Sequence, residues 1–135
     1  MQTVAQLVSL PLFSDERGLL SYGEIGEHLP FTPVRFFATT HVPRSTIRGR
    51  HAHRTCEQLL IVLQGSCRIL LLDGSGSDVV TLDSPTVGLH IPPEVWVEQS
   101  DTAPGTVVLV LASEKYEPDD YIRSLDEFRE IVGGT

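Results

Sequence analysis

The sequence predicts an all-β domain finished by one short C-terminal helix. Three observations carry that reading. Short runs rich in branched and aromatic side chains recur along the chain, Gly, Pro, Ser and Asp fill the gaps, and helical spacing occurs only near the end. Strand signals at this spacing point to a sandwich or a barrel.

Taken in order, residues 18–25 are a candidate N-terminal strand, and 34–40, 58–63, 67–72, 78–82, 88–91, 95–99 and 106–112 are the principal ones. Gln64-Gly65-Ser66, Asp73-Gly74-Ser75-Gly76, Asp83-Ser84-Pro85, Pro92-Pro93 and Ala103-Pro104-Gly105 supply the turn chemistry between them. The run 107–111 is nearly all apolar, as suits a strand covered on both faces. Asp119 or Asp120 then caps a helix with Tyr121, Ile122, Leu125, Phe128 and Ile131 at helical spacing, and Gly133-Gly134 ends it. Tyr121 is expected to help dock that helix. With 135 residues and no repeat, linker or low-complexity segment, 1–135 is read as a single domain.

Composition excludes several classes. The longest uncharged apolar runs, such as 59–63, are only a strand long, so no membrane span is expected. No basic segment leads into an apolar stretch and cleavage site, so the expected compartment is the cytoplasm. A formal charge of -8, from 18 acids and 10 bases, disfavours a nucleic-acid binder. Two cysteines make no framework. If Gln64-Gly65 turns a hairpin, Cys56 faces a position near Asp73 rather than Cys67, so both are expected to be reduced.

The charge is unevenly spread. Between Val34 and Arg68 stand Arg35, Arg44, Arg48, Arg50, Arg54 and Arg68 against the single acid Glu57, a net +5, which leaves -13 for the rest. Lys115 is the only base that is not arginine. Guanidinium groups grip phosphate through paired hydrogen bonds, so a basic segment in an acidic chain favours a small phosphorylated ligand. Any single arginine is equally well read as a solvated surface group.

The densest chemistry is Arg48-Gly49-Arg50-His51-Ala52-His53. On a strand, His51 and His53 share one face while Arg48, Arg50 and Ala52 take the other. A bend near Gly49 would return Arg48 to the histidines' cavity. Paired imidazoles suit metal ligation or proton transfer, and they also occur as satisfied groups in a polar barrel interior.

His51-x-His53-x3-Glu57, with a turn glycine at Gly65, closely resembles the first motif of the cupin superfamily. There two histidines and a glutamate often bind a metal, and a second motif, Pro-x-Gly-x2-His, brings a fourth ligand. The counterpart here, Pro92-Pro93-Glu94-Val95-Trp96-Val97, has valine at the ligand position and Glu94 in place of glycine. His90, seven residues before Val97, should face oppositely. The donor set lacks a member, so neither metal nor other cofactor is expected.

A longer series is similar to the dTDP-sugar 3,4-ketoisomerase family. It comprises Asp15-Glu16-Arg17-Gly18-x-Leu20, Leu29-Pro30-Phe31 and Arg35, then Arg48-Gly49-x-His51-Ala52-His53 and Gln58. It continues through Leu82-Asp83-Ser84-Pro85, Gly88-Leu89 and Trp96. Leu111-Ala112-Ser113-x2-Tyr116-x3-Asp120-Tyr121-Ile122-Arg123-x2-Asp126-Glu127-Phe128 completes it. The resemblance implies a cupin double-stranded β-helix, or jelly-roll barrel, acting as a homodimer on dTDP-4-keto-6-deoxyglucose. The keto group moves from carbon 4 to carbon 3 without a metal, in deoxy- and amino-sugar biosynthesis.

Carried onto this chain, the resemblance makes His51 the base and His53 its partner, or the group that protonates the enediol oxygens. Arg48 and Arg35 would stabilise diphosphate or enediolate charge, and Gln58 would bond a sugar hydroxyl. Arg17 either reaches the ligand or supports its own loop, and Trp96 packs against sugar, base or core. Phe37, Ala38 and Thr40 stand where members often carry tyrosines, so only Thr40 would offer a hydroxyl there, and Val97 stands where some carry a polar residue. The same residues admit three other readings: a sugar-nucleotide epimerase, a metal-dependent enzyme using His51, His53 and Glu57, or a non-catalytic sugar-nucleotide-binding protein.

Overall fold

In the strand Val107–Ala112, Val108, Val110 and Ala112 are buried while the side chains between them are half-buried. That alternation of inward and outward faces runs through the chain's main sheets in a computed structural model, which describes residues 1–133. The strands are β1 Gln6–Ser9, β2 Leu12–Asp15, β3 Gly18–Ser21, β4 Arg35–Thr39, β5 Arg48–His53 and β6 Gln58–Gln64. They continue as β7 Cys67–Asp73, β8 Gly76–Leu82, β9 Val87–Ile91, β10 Trp96–Ser100, β11 Val107–Ala112 and β12 Tyr121–Ile122. A 3₁₀ turn, Pro118–Asp120, precedes β12, and helix α1, Leu125–Gly133, follows it.

Two antiparallel five-stranded sheets, ordered β1-β9-β6-β11-β4 and β12-β5-β10-β7-β8, form the jelly roll. Their inward faces share one core, in which Leu60, Val62, Val108 and Val110 of the first sheet meet Ile69, Leu71 and Val97 of the second. Beneath α1, Trp96, Ala52, Ile122 and Phe128 make a smaller cluster. A third cluster covers the outer face of the first sheet, where Leu10 packs on Leu59 and Ile61 beside Leu29, Phe31 and Leu111. Strand β11 is thus fully covered inside and partly covered outside. The pair β2-β3 stands apart as its own hairpin.

The seven principal strands occur where the β-rich runs place them. Three expectations need correction. Gln64-Gly65-Ser66 is not a hairpin turn, because β6 and β7 lie in different sheets and this segment crosses between them. The register argument for the cysteines therefore falls, yet Cys56 and Cys67 are both buried free thiols. Burial pushes the Cys67 thiol up to about 11, which keeps it protonated.

The helix begins later than expected. Its first turn is closed by Ser124, whose Oγ accepts from Glu127 N at 3.3 Å and whose carbonyl accepts from Phe128 N at 2.9 Å. Asp119 and Asp120 belong to the 3₁₀ turn, and Tyr121-Ile122 pair with His53-Ala52 as a strand. Gly134 lies outside the described residues. At the N-terminus, the expected single strand is a hairpin, with β1 added to the edge of the first sheet. Among the described residues no helix is long and apolar enough to cross a membrane.

Candidate active site

Strand β5 is bent where it carries the histidines. Gly49 and Arg50 take φ values of 85° and 57°, and the register against β10 jumps, with Val97 opposite His51 but Glu98 opposite Gly49. Arg50 is the extra residue of a β-bulge. A Cβ on Gly49 would lie 2.8 Å from the Val97 carbonyl oxygen, so this close approach requires glycine. The bulge returns Arg48 to the face of His51. Both line an open cavity between the sheets together with Gln58, Phe37, Thr39, Gln99 and Tyr121.

His51 and His53 meet edge-on, with ring centroids 5.2 Å apart, and Tyr121 closes on them at 5.1 and 4.4 Å. His51 Nδ1–H donates to the Gly49 carbonyl at 3.1 Å, and His53 Nδ1–H donates to Asp120 Oδ2 at 2.9 Å. Both partners accept only, so each neutral ring keeps its lone pair on Nε2. Burial, helped by the neighbouring His53, Arg123 and Arg48 and opposed by the Gly49 hydrogen bond, lowers His51 to about 4. Burial also lowers His53, while Asp120 acts in the other direction. Burial raises Asp120 itself, but hydrogen bonds from His53, Thr55 and Cys56 outweigh it and hold the carboxylate below its usual range. At neutral pH both rings are therefore uncharged, His51 lining the cavity and His53 buried beside it.

This arrangement dictates a pH dependence. Above about 6.5, the ordinary histidine value, His51 is neutral whether the chain is folded or not. As pH falls from there through about 4, the unfolded chain takes up a proton that the native His51 resists, so stability falls. His53 adds in the same direction. Urea midpoints measured across this window should drop towards acid, and His51→Asn should flatten the slope. Equal slopes in the two proteins would contradict the burial argument.

The expected site residues divide. Arg48 and Gln58 line the cavity. Arg35 stands behind it, its guanidinium over the rings of Phe37 and Tyr116 at 5.4 and 5.7 Å. Arg17 does not reach the cavity of its own chain: it sits on the β2-β3 hairpin, bonded to Asp15, with its side chain 80% exposed. Trp96 is 3% exposed, packs on Phe128 at 5.7 Å and donates its indole N–H to Glu98, so it serves the core rather than the cavity.

Tyr121 faces the histidines instead of docking the helix, because the short β12 pairing turns it towards β5. Thr39, not Thr40, is the β4 threonine on the cavity wall, because alternate side chains of β4 point outward, and its Oγ1 is buried without a hydrogen-bond partner. Thr39 and Gln99 on the cavity wall, and Asp120 and Arg123 behind the rings, join the site beyond the residues expected from the sequence. Arg123, 4.3 Å over the Tyr121 ring, lies outside the basic segment, and its sequence signal is its place in the C-terminal series shared with the family.

The basic segment also disperses. Arg44 pairs with Asp101 and Arg54 with Glu127, while Arg50 and Arg68 are exposed. Only Arg48 and Arg35 remain near the histidines.

The metal set suggested by the cupin motif does not fit. Glu57 accepts a hydrogen bond from His90 Nε2 at 2.8 Å, beside Phe31, so it is engaged away from the imidazole pair. Val97 faces the cavity with an apolar side chain. Among the described residues, the donors that converge within 4.8 Å are His53, Cys56 and Asp120. Their His53–Asp120 contact is already a hydrogen bond, and Asp120 also accepts from Thr55 and Cys56.

Two facing antiparallel sheets around a cavity lined by His51, with His53 buried beside it, define a cupin-type domain. Within that class, the chain belongs to the family described as FdtA: WxcM-like, C-terminal, which matches residues 3–133. It is 39% identical over 127 residues to the TDP-4-oxo-6-deoxy-alpha-D-glucose-3,4-oxoisomerase of Aneurinibacillus thermoaerophilus, covering 94% of this chain and 91% of that one. It is also similar to QdtA, a sugar 3,4-ketoisomerase from Thermoanaerobacterium thermosaccharolyticum solved with TDP. That match has a TM-score of 0.95 at 36% identity, covering 99% of this chain and 98% of the other. A His-to-Asn variant of the same enzyme, solved with TDP-4-keto-6-deoxyglucose, matches with a TM-score of 0.95 at 35% identity over 99% and 97% of the two chains.

Proposed function

We propose that this protein is a TDP-sugar 3,4-ketoisomerase that converts TDP-4-keto-6-deoxyglucose to a 3-keto-6-deoxyhexose, in deoxysugar biosynthesis. The observation that carries the reading is the neutral His51 imidazole lining the cavity with His53 in edge-on contact beside it, each ring keeping its lone pair on Nε2. The hydrogen on carbon 3 is acidic because it lies alpha to the carbon-4 carbonyl. His51 removes it to leave an enediolate. A proton then passes from the oxygen on carbon 3 to that on carbon 4, and His51 returns its proton to carbon 4. Nothing is oxidised or reduced overall.

Arg48 and Arg35 balance the developing negative charge, and Gln58 bonds a sugar hydroxyl. Thr39 takes the hydroxyl role first expected of Thr40. No step is routed through a metal, because the donor set does not converge.

Incubation with TDP-4-keto-6-deoxyglucose in deuterium oxide tests the reading. The expected product is a 3-keto sugar carrying deuterium at carbon 4, seen by NMR. Binding of TDP with no exchange would instead favour a non-catalytic sugar-nucleotide-binding protein, and exchange with retention of the 4-keto group would favour an epimerase.

We further propose that one domain, 1–135, is the catalytic unit, located in the cytoplasm and acting as a homodimer. Support for the dimer comes from large apolar side chains left exposed on the β2-β3 hairpin and on the outer face of β4, among them Phe13, Leu19, Leu20 and Phe36. In a dimer, Arg17 at the hairpin tip would meet the ligand only in the partner's cavity. A one-chain mass by light scattering, or a membrane-bound fraction after lysis, would overturn these assignments.

A further inference from the structure

Asp120 stands 67 residues from His53, yet the loop after β5 closes around its carboxylate. Oδ1 accepts from Thr55 N at 2.8 Å and Thr55 Oγ1 at 2.9 Å, while Oδ2 accepts from His53 Nδ1 at 2.9 Å and Cys56 N at 3.3 Å. The backbone is held too, since the Asp120 carbonyl accepts from Arg54 N at 2.8 Å. This carboxylate cannot turn away from the imidazole.

His53 is itself 5% exposed, and its Nε2 is buried without a hydrogen-bond partner. His51 holds the same tautomer, but against the neutral carbonyl of Gly49. The two imidazoles thus differ in one respect. Only His53 has a carboxylate behind it.

Resting on the ketoisomerase reading, we propose that Asp120 is a positioning residue. It fixes His53 with its proton on Nδ1, leaves Nε2 as the acceptor, and balances the imidazolium formed when His53 carries the proton between the two sugar oxygens. In that step the O–H bond at carbon 3 breaks and an Nε2–H bond forms, with the electron pair left on oxygen. Delivery of that proton to the oxygen on carbon 4 restores the neutral ring. His51 remains the group that handles the carbon-bound proton.

The surroundings explain why the carboxylate is needed. Burial, first, and Arg35 on β4 oppose a charged His53, and the Tyr121 ring on β12 covers one side of it. Glu114, beyond β11, and Asp120 favour the charged form. Of these two, only Asp120 is in contact.

Asp120→Asn tests the assignment. The amide keeps an oxygen for Thr55 N–H but presents a donor to His53, which drives the ring proton to Nε2. We expect kcat to fall by about 10²-fold or more, with TDP affinity within about threefold of the parent. The ¹⁵N spectrum of His53 should change from the Nδ1–H to the Nε2–H pattern. Asp119→Asn changes the exposed neighbouring carboxylate of the same 3₁₀ turn, and should keep kcat within about twofold and the tautomer unchanged.

Wild-type kcat in Asp120→Asn would overturn the proposal, as would loss of the tautomer or of kcat in Asp119→Asn. So would an Nε2–H signal from His53 in the unaltered protein. That last spectrum needs neither a variant nor turnover. Its failure is therefore separate from failure of the ketoisomerase reading, which would show as no solvent exchange by the unaltered enzyme.

Discussion

Replacing His51 with asparagine should lower isomerisation by about 10³-fold while leaving TDP affinity within about threefold. Asparagine retains an N–H for the Gly49 carbonyl and fills much of the same space, but it carries no basic nitrogen. What it deletes is the Nε2 lone pair that takes the proton from carbon 3. His51 suits that task because burial and neighbouring positive charge keep it neutral, at about 4, so the base is ready at neutral pH. Arg48 remains in place on the cavity wall, since the bulge at Gly49 and Arg50 is set by the backbone. Deuterium incorporation followed by NMR gives the rate, and calorimetric titration with TDP gives the affinity. A variant that exchanges deuterium at the parent rate would remove His51 from the mechanism, and one that also lost TDP would make it a binding residue.

The second large effect falls on the fold. Gly65→Ala should destabilise the protein by about 3 kcal/mol, combining a left-handed backbone with overpacking. Gly65 has φ 86° where the chain leaves β6 in one sheet and enters β7 in the other. An added Cβ would sit 2.7 Å from Thr106 Cα and would strike the Thr106 hydroxyl. That hydroxyl accepts from Ser66 N at 3.1 Å and donates to the Ala103 carbonyl at 2.6 Å, which ties the crossing to the loop before β11. Gly26 has nearly the same φ, 84°, but open space at its Cβ, so Gly26→Ala should cost only about 1 kcal/mol. The difference between their urea-derived stabilities isolates the close approach. Equal losses would show that backbone conformation alone sets the requirement for glycine.

Where the sequence read well, the signal was local. The runs from Gln58 to Leu63 and from Cys67 to Leu72 are long, branched and bounded by turn residues, and they form β6 and β7. His51 and His53 share a face because strand alternation is a property of the backbone itself. The bend at Gly49 was legible as an option, since a glycine inside a strand invites a bulge. The tail misled because Ile122, Leu125 and Phe128 are spaced as on a helix. Only the last two lie on one, and Ile122 reaches the same cluster from β12.

The sequence by itself determined the strand-rich architecture, the imidazole pair and the family resemblance, because alternation, turn chemistry and motif spacing act over a few residues. Tertiary structure alone decided which sheet each strand joins and which groups meet the histidines. Crossing at Gly65 rather than folding back there separates β6 from β7. Closure of the C-terminal segment on β5 brings Tyr121 and Asp120 to the imidazoles and covers Trp96 with Phe128, while the separate β2-β3 hairpin holds Arg17 outside the cavity. Such pairings depend on how two sheets bury one common core, and no short stretch of the chain contains that information.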